Sequence, residues 1–176
     1  MHKVLFILMP DYRDEEFTVP YNMMIQANFH VDVTGVKPGV AEDSRGHKHT
    51  PNLQLENLTH KDLEAYDALV IPGGPGSKEY LWKNEKVLDS IKYFHNNKKL
   101  VAAICYAVVP VVKTGILKNK IATVFPTREA RDILEEYGVK FSKDGCVVLS
   151  EERIITAQGP RFAEEFGKEI INFLKN

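Results

Sequence analysis

The sequence predicts an α/β fold, a three-layer sandwich in which a mostly parallel central sheet is flanked by helices. Three observations lead there. Segments of strand character alternate along the chain with segments of helical periodicity. The strand segments are apolar throughout, as in "KVLFILM", "DALVI" and "KLVAAI", which is the pattern of strands covered on both faces. Tight or glycine-rich turns follow several of these runs, at the carboxyl edge where open α/β sheets bind their ligands.

The first apolar run, residues 3–9, is bounded by Pro10 and reads as a buried strand. Residues 14–28 place Phe17, Tyr21, Met24 and Ile25 at helical spacing behind an acidic first turn, with Pro20 expected to kink or restart the helix. "FHVDVTGV" (29–36) alternates like a strand, and the polar stretch 37–52 is expected as a hairpin or loop excursion before "LQLENL". "YDALVIPGGPGS" (66–77) is a buried strand running into a glycine turn. Residues 84–97 form an amphipathic helix with Val87, Leu88, Ile91 and Phe94 on one stripe.

"KLVAAI" is the next buried strand and "YAVVPVVKTG" the helix after it, closed by Gly115. "KIATVF" is expected as another strand, "TREARDILEEYG" as an amphipathic helix ending at Gly138, and "VKFS", "GCVVLS" and "RIITAQ" as short strands. The last segment carries Phe162, Phe166, Ile170 and Phe173 at helical intervals. There is no internal repeat, linker or low-complexity stretch, so residues 1–176 are expected to form a single domain.

Composition narrows the function classes. Lys plus Arg (23) nearly balances Asp plus Glu (24), which gives no basic footprint for nucleic acid and no acidic tail. The amino end has one basic residue before a short apolar run, unlike a secretory leader, and no run approaches the length of a membrane span. A cytoplasmic protein that engages neither nucleic acid nor membrane is expected. Its two cysteines, Cys105 and Cys146, lack paired spacing and read as free thiols in a reducing compartment. No CxxC or His/Cys cluster suggests zinc, and neither metal nor other cofactor is expected.

Cys105 stands where a buried strand becomes a helix. A residue at such a turn is held in a strained conformation with its side chain above the sheet, close to the free N–H groups of the helix start. Those donors favour an anion, so the thiol pKa is expected to fall below its free value. The alternative is a small buried hydrophobe, the commoner fate of free cysteines and the expected one for Cys146. Gly73 and Gly74, lacking Cβ atoms, permit close backbone approach and an N–H donor to an oxyanion. Glu15 or Glu16 lies at the start of the first helix, within reach of the same edge.

Taken together, "DEEFTVPYNMM", "YDALVIPGGPGS", "VAAICYAVVPVVKTGILK" and "IITAQGP" resemble the DJ-1/ThiJ/PfpI superfamily, over essentially the whole chain and in the same order. The resemblance implies a flavodoxin-like sandwich with a nucleophile elbow, the class I glutamine amidotransferase-like fold. It matches Cys105 to the nucleophile and Glu16 to the glutamate that hydrogen-bonds its sulfur, leaving Glu15 pointing elsewhere. The N–H groups of Gly74 and Tyr106 match the oxyanion donors. Beside a thiolate, Glu16 is expected to be held protonated. The resemblance also implies a homodimer or larger homo-oligomer.

The function so implied is a cysteine-dependent enzyme acting on a small carbonyl compound, glyoxalase- or deglycase-like, through Cys105 and Glu16. The alternatives are a redox sensor or stress-protective chaperone working through Cys105 oxidation, and a PfpI-type intracellular peptidase. Three positions depart from the family pattern. Tyr106 replaces the histidine that follows the cysteine in the peptidase branch, and all six histidines, the loop residues His47 and His49 included, precede Cys105. Phe125 and Gln158 stand where the DJ-1 branch has a histidine and an arginine. Together with Gly73 they are the pocket candidates, and the pocket is expected to be small and shallow.

Overall fold

A computed structural model describes residues 1–176. The chain runs through β1 (Lys3–Leu8), α1 (Asp14–Gln26), β2 (His30–Gly35), a hairpin of β3 (Ala41–Glu42) and β4 (Lys48–His49), and β5 (Leu53–Gln54). A short α2 (His60–Leu63) precedes β6 (Ala68–Ile71), followed by α3 (Ser77–Tyr80), α4 (Glu85–Asn96), β7 (Leu100–Ile104) and α5 (Val108–Lys113). After β8 (Ile121–Ala122) come α6 (Arg128–Glu136), β9 (Lys140–Phe141), β10 (Cys146–Leu149), β11 (Ile154–Ala157) and α7 (Ala163–Lys175). No helix is long and apolar enough to cross a membrane.

Seven strands form the main sheet in the order β10-β11-β7-β6-β1-β2-β5. Every neighbouring pair is parallel except β10 with β11. The central strands are apolar on both faces because both are covered. Helices α1 and α7 pack together on one side, and α2, α4, α5 and α6 form a chain of contacts on the other. Residues of β1, β6, β7 and β11 are almost wholly buried and join one hydrophobic core with Phe94, Phe166 and Ile170 from the helices.

Sequence order runs away from β1 in both directions, through β2 to one edge and through β6 to the other. The carboxyl ends of β1 and β6 therefore flank the switch point where such sheets leave a crevice. Register places the other relevant ends beside it: Ile71 pairs with Ala103, and Ile104 with Ala157.

Two expectations are corrected. "KIATVF" contributes only Ile121 and Ala122 as a strand, and these pair with β9 in a separate two-stranded sheet. Both sides of β11 are already taken, by β7 and β10, so the run has no ladder to join. The Thr123 N–H instead donates to Thr156 Oγ1 at 3.1 Å. Second, Pro20 lies inside a continuous α1, buried where α7 comes close; a Cβ on Gly167 would stand 2.6 Å from Met23 Sδ and 3.4 Å from Pro20 Cα.

The turn after β6 is wedged against the turn after β1. Asp11, at φ +57°, accepts the Gly76 N–H at 2.9 Å and donates its own N–H to Glu42 O of the hairpin at 2.8 Å. A Cβ on Gly76 would overlap Pro10 O, so this approach requires glycine. Gly76→Ala is expected to cost about 3 kcal/mol in chemical denaturation. Gly39→Ala, at φ +85° but with nothing within 4 Å of its Cβ, is expected to cost about 1 kcal/mol from backbone strain alone. Equal losses would show that the wedge is dispensable.

Candidate active site

Cys105 follows the last residue of β7 and opens a helical turn, Cys105–Ala107, that leads into α5. Its φ is +62°, a left-handed value that costs a non-glycine residue of order 1–3 kcal/mol and persists only where surroundings enforce it. One enforcing contact is Trp82, whose Nε1–H donates to Tyr106 O at 2.8 Å. The cysteine is 5% exposed, and the N–H groups of Tyr106 and Gly74 are directed at its sulfur.

Glu16 reaches the same point from α1 and is fully buried. Its Oε1 accepts the Gly73 N–H at 3.1 Å. Oε2 is buried without a hydrogen-bond partner, and the Cys105 thiol is close enough to act on the carboxyl group. Glycine makes this convergence sterically possible. A Cβ on Gly73 would stand 2.6 Å from Ile104 O and 3.0 Å from both Cys105 Cβ and Glu16 Oε1. Gly74, at φ +131°, lies against the Tyr12–Arg13 backbone, and the Arg13 N–H donates to Gly73 O at 2.8 Å.

Burial pushes the Glu16 carboxyl from 4.5 up to about 8; its hydrogen bonds with Cys105 and Gly73 pull the other way without prevailing. Glu16 is therefore protonated at neutral pH. Burial also pushes the Cys105 thiol up, with charge on Glu16 the next cause, against the lowering effect of the Tyr106 and Gly74 N–H groups. The expectation of a depressed thiol pKa is thus corrected: desolvation of a nearly buried sulfur outweighs two backbone donors. The two groups titrate as a pair that keeps both protons at neutral pH.

Glu15, one residue earlier, meets the opposite environment. Arg45 from the hairpin forks onto it, Nη1 to Oε1 at 3.0 Å and Nη2 to Oε2 at 2.8 Å, and Arg13 Nε adds a bond at 2.9 Å. These cations, Arg45 first, hold its carboxyl down at about 2.

The rim is aromatic. The Tyr106 ring meets Trp82 and Phe125 edge to face, with centroids 6.3 and 5.3 Å away, and a Cβ on Gly159 would touch Phe125 at 3.0 Å. Gln158 follows the β11 residue paired with Ile104, so its backbone lies beside Cys105. The structure keeps the loop histidines elsewhere. His47 Nδ1 pairs with Asp43 at 2.9 Å, and His49 packs on Phe17 and Tyr21, where burial lowers its pKa. Cys146 is half-buried at the start of the edge strand, and burial pushes its thiol up to about 12. Five surface concavities, among them one of about 380 Å³ lined by Arg153, Glu169 and Phe173, do not open on Cys105.

The buried acid has a measurable signature. Between the unfolded value of 4.5 and the folded value of about 8, the folded state binds more protons than the unfolded one. Stability from this group is therefore complete below pH 4.5 and is lost as pH rises through 8, with a slope of up to about 1.4 kcal/mol per pH unit. Glu16→Gln, which keeps the acceptor for Gly73, is expected to flatten that stretch of the stability profile in denaturant titrations. An unchanged slope would mean that Glu16 is ionised in the folded protein.

The description of the DJ-1/PfpI family matches residues 2–173. The chain is 38% identical over 174 residues to the uncharacterized protein MJ0967 of Methanocaldococcus jannaschii, covering 98% of this chain and 82% of that one. It is 32% identical to YraA of Bacillus subtilis, named as a candidate cysteine protease, over 99% and 100% of the two chains. More distant relatives include a glutathione-independent glyoxalase of Caenorhabditis elegans (25%, over 98% and 89%) and a deglycase of Pyrococcus horikoshii (24%, over 98% and 99%). Among solved structures, Schizosaccharomyces pombe DJ-1 matches with a TM-score of 0.86 and 28% identity, over 97% of this chain and 90% of that one. With a family match over nearly its whole length, the chain belongs to the DJ-1/PfpI family.

Proposed function

We propose that the chain is a cysteine-dependent enzyme acting on small carbonyl compounds, glyoxalase- or deglycase-like, with Cys105 as nucleophile and Glu16 as its proton partner. The observation that carries this reading is one buried carboxyl group against one thiol, with two backbone N–H groups directed at the same sulfur. The names of the C. elegans and P. horikoshii relatives support the substrate class.

On this reading the reactive form is the pair after loss of its first proton. As sulfur adds to the aldehyde carbon of a dicarbonyl such as methylglyoxal, the Glu16 carboxylate takes the thiol proton and a C–S bond forms. The new alkoxide receives the N–H groups of Gly74 and Tyr106, donors of a kind worth about 3 kcal/mol each when placed at an oxyanion. Glu16 returns the proton to give a hemithioacetal. It then moves the C1 proton to C2 through an enediol, leaving a thioester whose hydrolysis by water releases lactate and restores the thiol.

The peptidase reading draws on the B. subtilis relative. It ranks behind because Tyr106 occupies the place of the histidine base and His47 and His49 are held by other partners. An intact casein substrate after incubation with the protein removes it.

Methylglyoxal turnover by the reduced protein is the test. Cys105→Ser is expected to lower kcat/KM by about a thousandfold or more, and Glu16→Gln by about a hundredfold. In the wild type, kcat/KM is expected to rise with pH through an inflection near 8 and to lose that inflection in Glu16→Gln. Absence of turnover in wild type and Cys105→Ser alike would remove the carbonyl reading. Peroxide oxidation confined to Cys105 would then favour a redox sensor.

A further inference from the structure

Tyr106, the residue that follows Cys105, meets Phe125 ring to ring. Tyr106 is half-buried, with its backbone carbonyl tied to Trp82 and its ring edge to face with the Trp82 indole. Phe125 leans on Tyr106 at 5.3 Å with an interplanar angle of 64° and rests on Gly159, where a Cβ would stand 3.0 Å from the ring. The two rings make a corner at the residue next to Cys105.

Phe125 is also the most exposed aromatic residue of the chain, 38% accessible, while the other large exposed apolar side chains, Met1, Ile25 and Val40, are aliphatic. A phenyl ring held rigidly at the mouth of a reactive site, with its outer face in water, gains by covering that face with apolar ligand surface. Gln158, the residue before Gly159, is neutral and offers hydrogen bonds.

We infer that Tyr106 and Phe125 form an aryl subsite, so that the preferred substrate is an α-oxoaldehyde bearing an aromatic ring, as in phenylglyoxal. This rests on the carbonyl reading of Cys105 and adds the group that lies beyond the reacting carbon. With the aldehyde carbon at the sulfur, the substituent on the neighbouring carbonyl extends outward to the corner, where a ring meets Tyr106 and Phe125 in the offset or edge-to-face geometry that aromatic pairs favour.

The test compares kcat/KM for phenylglyoxal and methylglyoxal. A wild-type ratio of about ten is expected from one favourable ring contact. Phe125→Ala, at an exposed position, is expected to bring it near one by raising KM for phenylglyoxal, and Phe125→Tyr to restore it. A second arm needs no catalysis: the rates at which iodoacetanilide and iodoacetamide alkylate Cys105, each normalised to free glutathione. Turnover with a ratio near one in wild type and Phe125→Ala alike would overturn the aryl subsite and leave the carbonyl reading standing. Without turnover, a normalised alkylation preference for the anilide that Phe125→Ala removes would keep the subsite and sink the glyoxalase reading; no preference would sink both. Failure of both reagents to label Cys105, with no turnover, would also overturn both. A Phe125→Ala variant that changes the mass of the protein in size-exclusion chromatography with no change in either ratio would assign the ring to contact between copies instead.

Discussion

The structure turns on backbone packed against backbone at the carboxyl edge of the sheet. Three turns, after β1, β6 and β7, are pressed together until a Cβ at Gly73, Gly74 or Gly76 would collide with its neighbours. Arg13 N–H to Gly73 O and Gly76 N–H to Asp11 O lock two of the turns, and the Gly73 N–H holds Glu16 Oε1. Because strand order diverges at β1, this edge is where a parallel sheet opens, and the three turns fill the gap and converge on Cys105. The geometry of Glu16 and Cys105 is thus set by the main chain and does not rest on long, mobile side chains.

Within that frame, two consecutive glutamates are driven to opposite ends of the carboxylate range. Glu15 faces outward into two guanidinium groups and is pulled down to about 2, while Glu16 faces inward and is pushed up to about 8. The sequence neighbours differ only in which side of α1 they occupy. Environments that separate the pKa values of neighbouring acids are how one site acquires an acid and a base at the same pH. The fork from Arg45 adds a geometric effect: it reaches Glu15 from the β3–β4 hairpin and occupies both of its oxygens, leaving the inward carboxyl as the one free to meet the thiol.

Much of this was legible in the sequence where local pattern and tertiary environment agree. The runs at residues 3–9, 66–71 and 99–104 read as buried strands because central parallel strands admit only apolar residues. Cys105 and the Gly73–Gly74 pair stood out because turns with constrained backbones restrict residue type. The strand expected at "KIATVF" failed because its partner edge was occupied, a fact of topology with no local signature. The short helices α2 and α3 were missed for their length, since a single turn leaves no periodicity to read. Trp82 and Arg45 act across 24 and 30 residues of chain, and nothing near them in sequence marks the contact. The sign of the thiol shift was misjudged because donors are visible in a motif and desolvation is not.

Desolvation also bears on the kind of chemistry such a thiol can perform. A cysteine exposed on a helix amino end is reactive toward any electrophile that collides with it. Cys105 is nearly buried, its proton is retained, and its neighbour is an acid that carries a proton at neutral pH. An electrophile that brings no polar group into the site meets a neutral thiol. On the proposed reading, a carbonyl compound brings an oxygen that accepts the Gly74 and Tyr106 N–H groups, and the charge forming on that oxygen offsets the desolvation opposing ionisation of the pair. Selectivity then arises from coupling: proton transfer within the pair and charge development on the oxygen must occur together. On that reading the backbone donors that fail to ionise the thiol are the groups that reward an oxyanion, so a weakly nucleophilic resting state and a stabilised addition product are consistent outcomes of one arrangement.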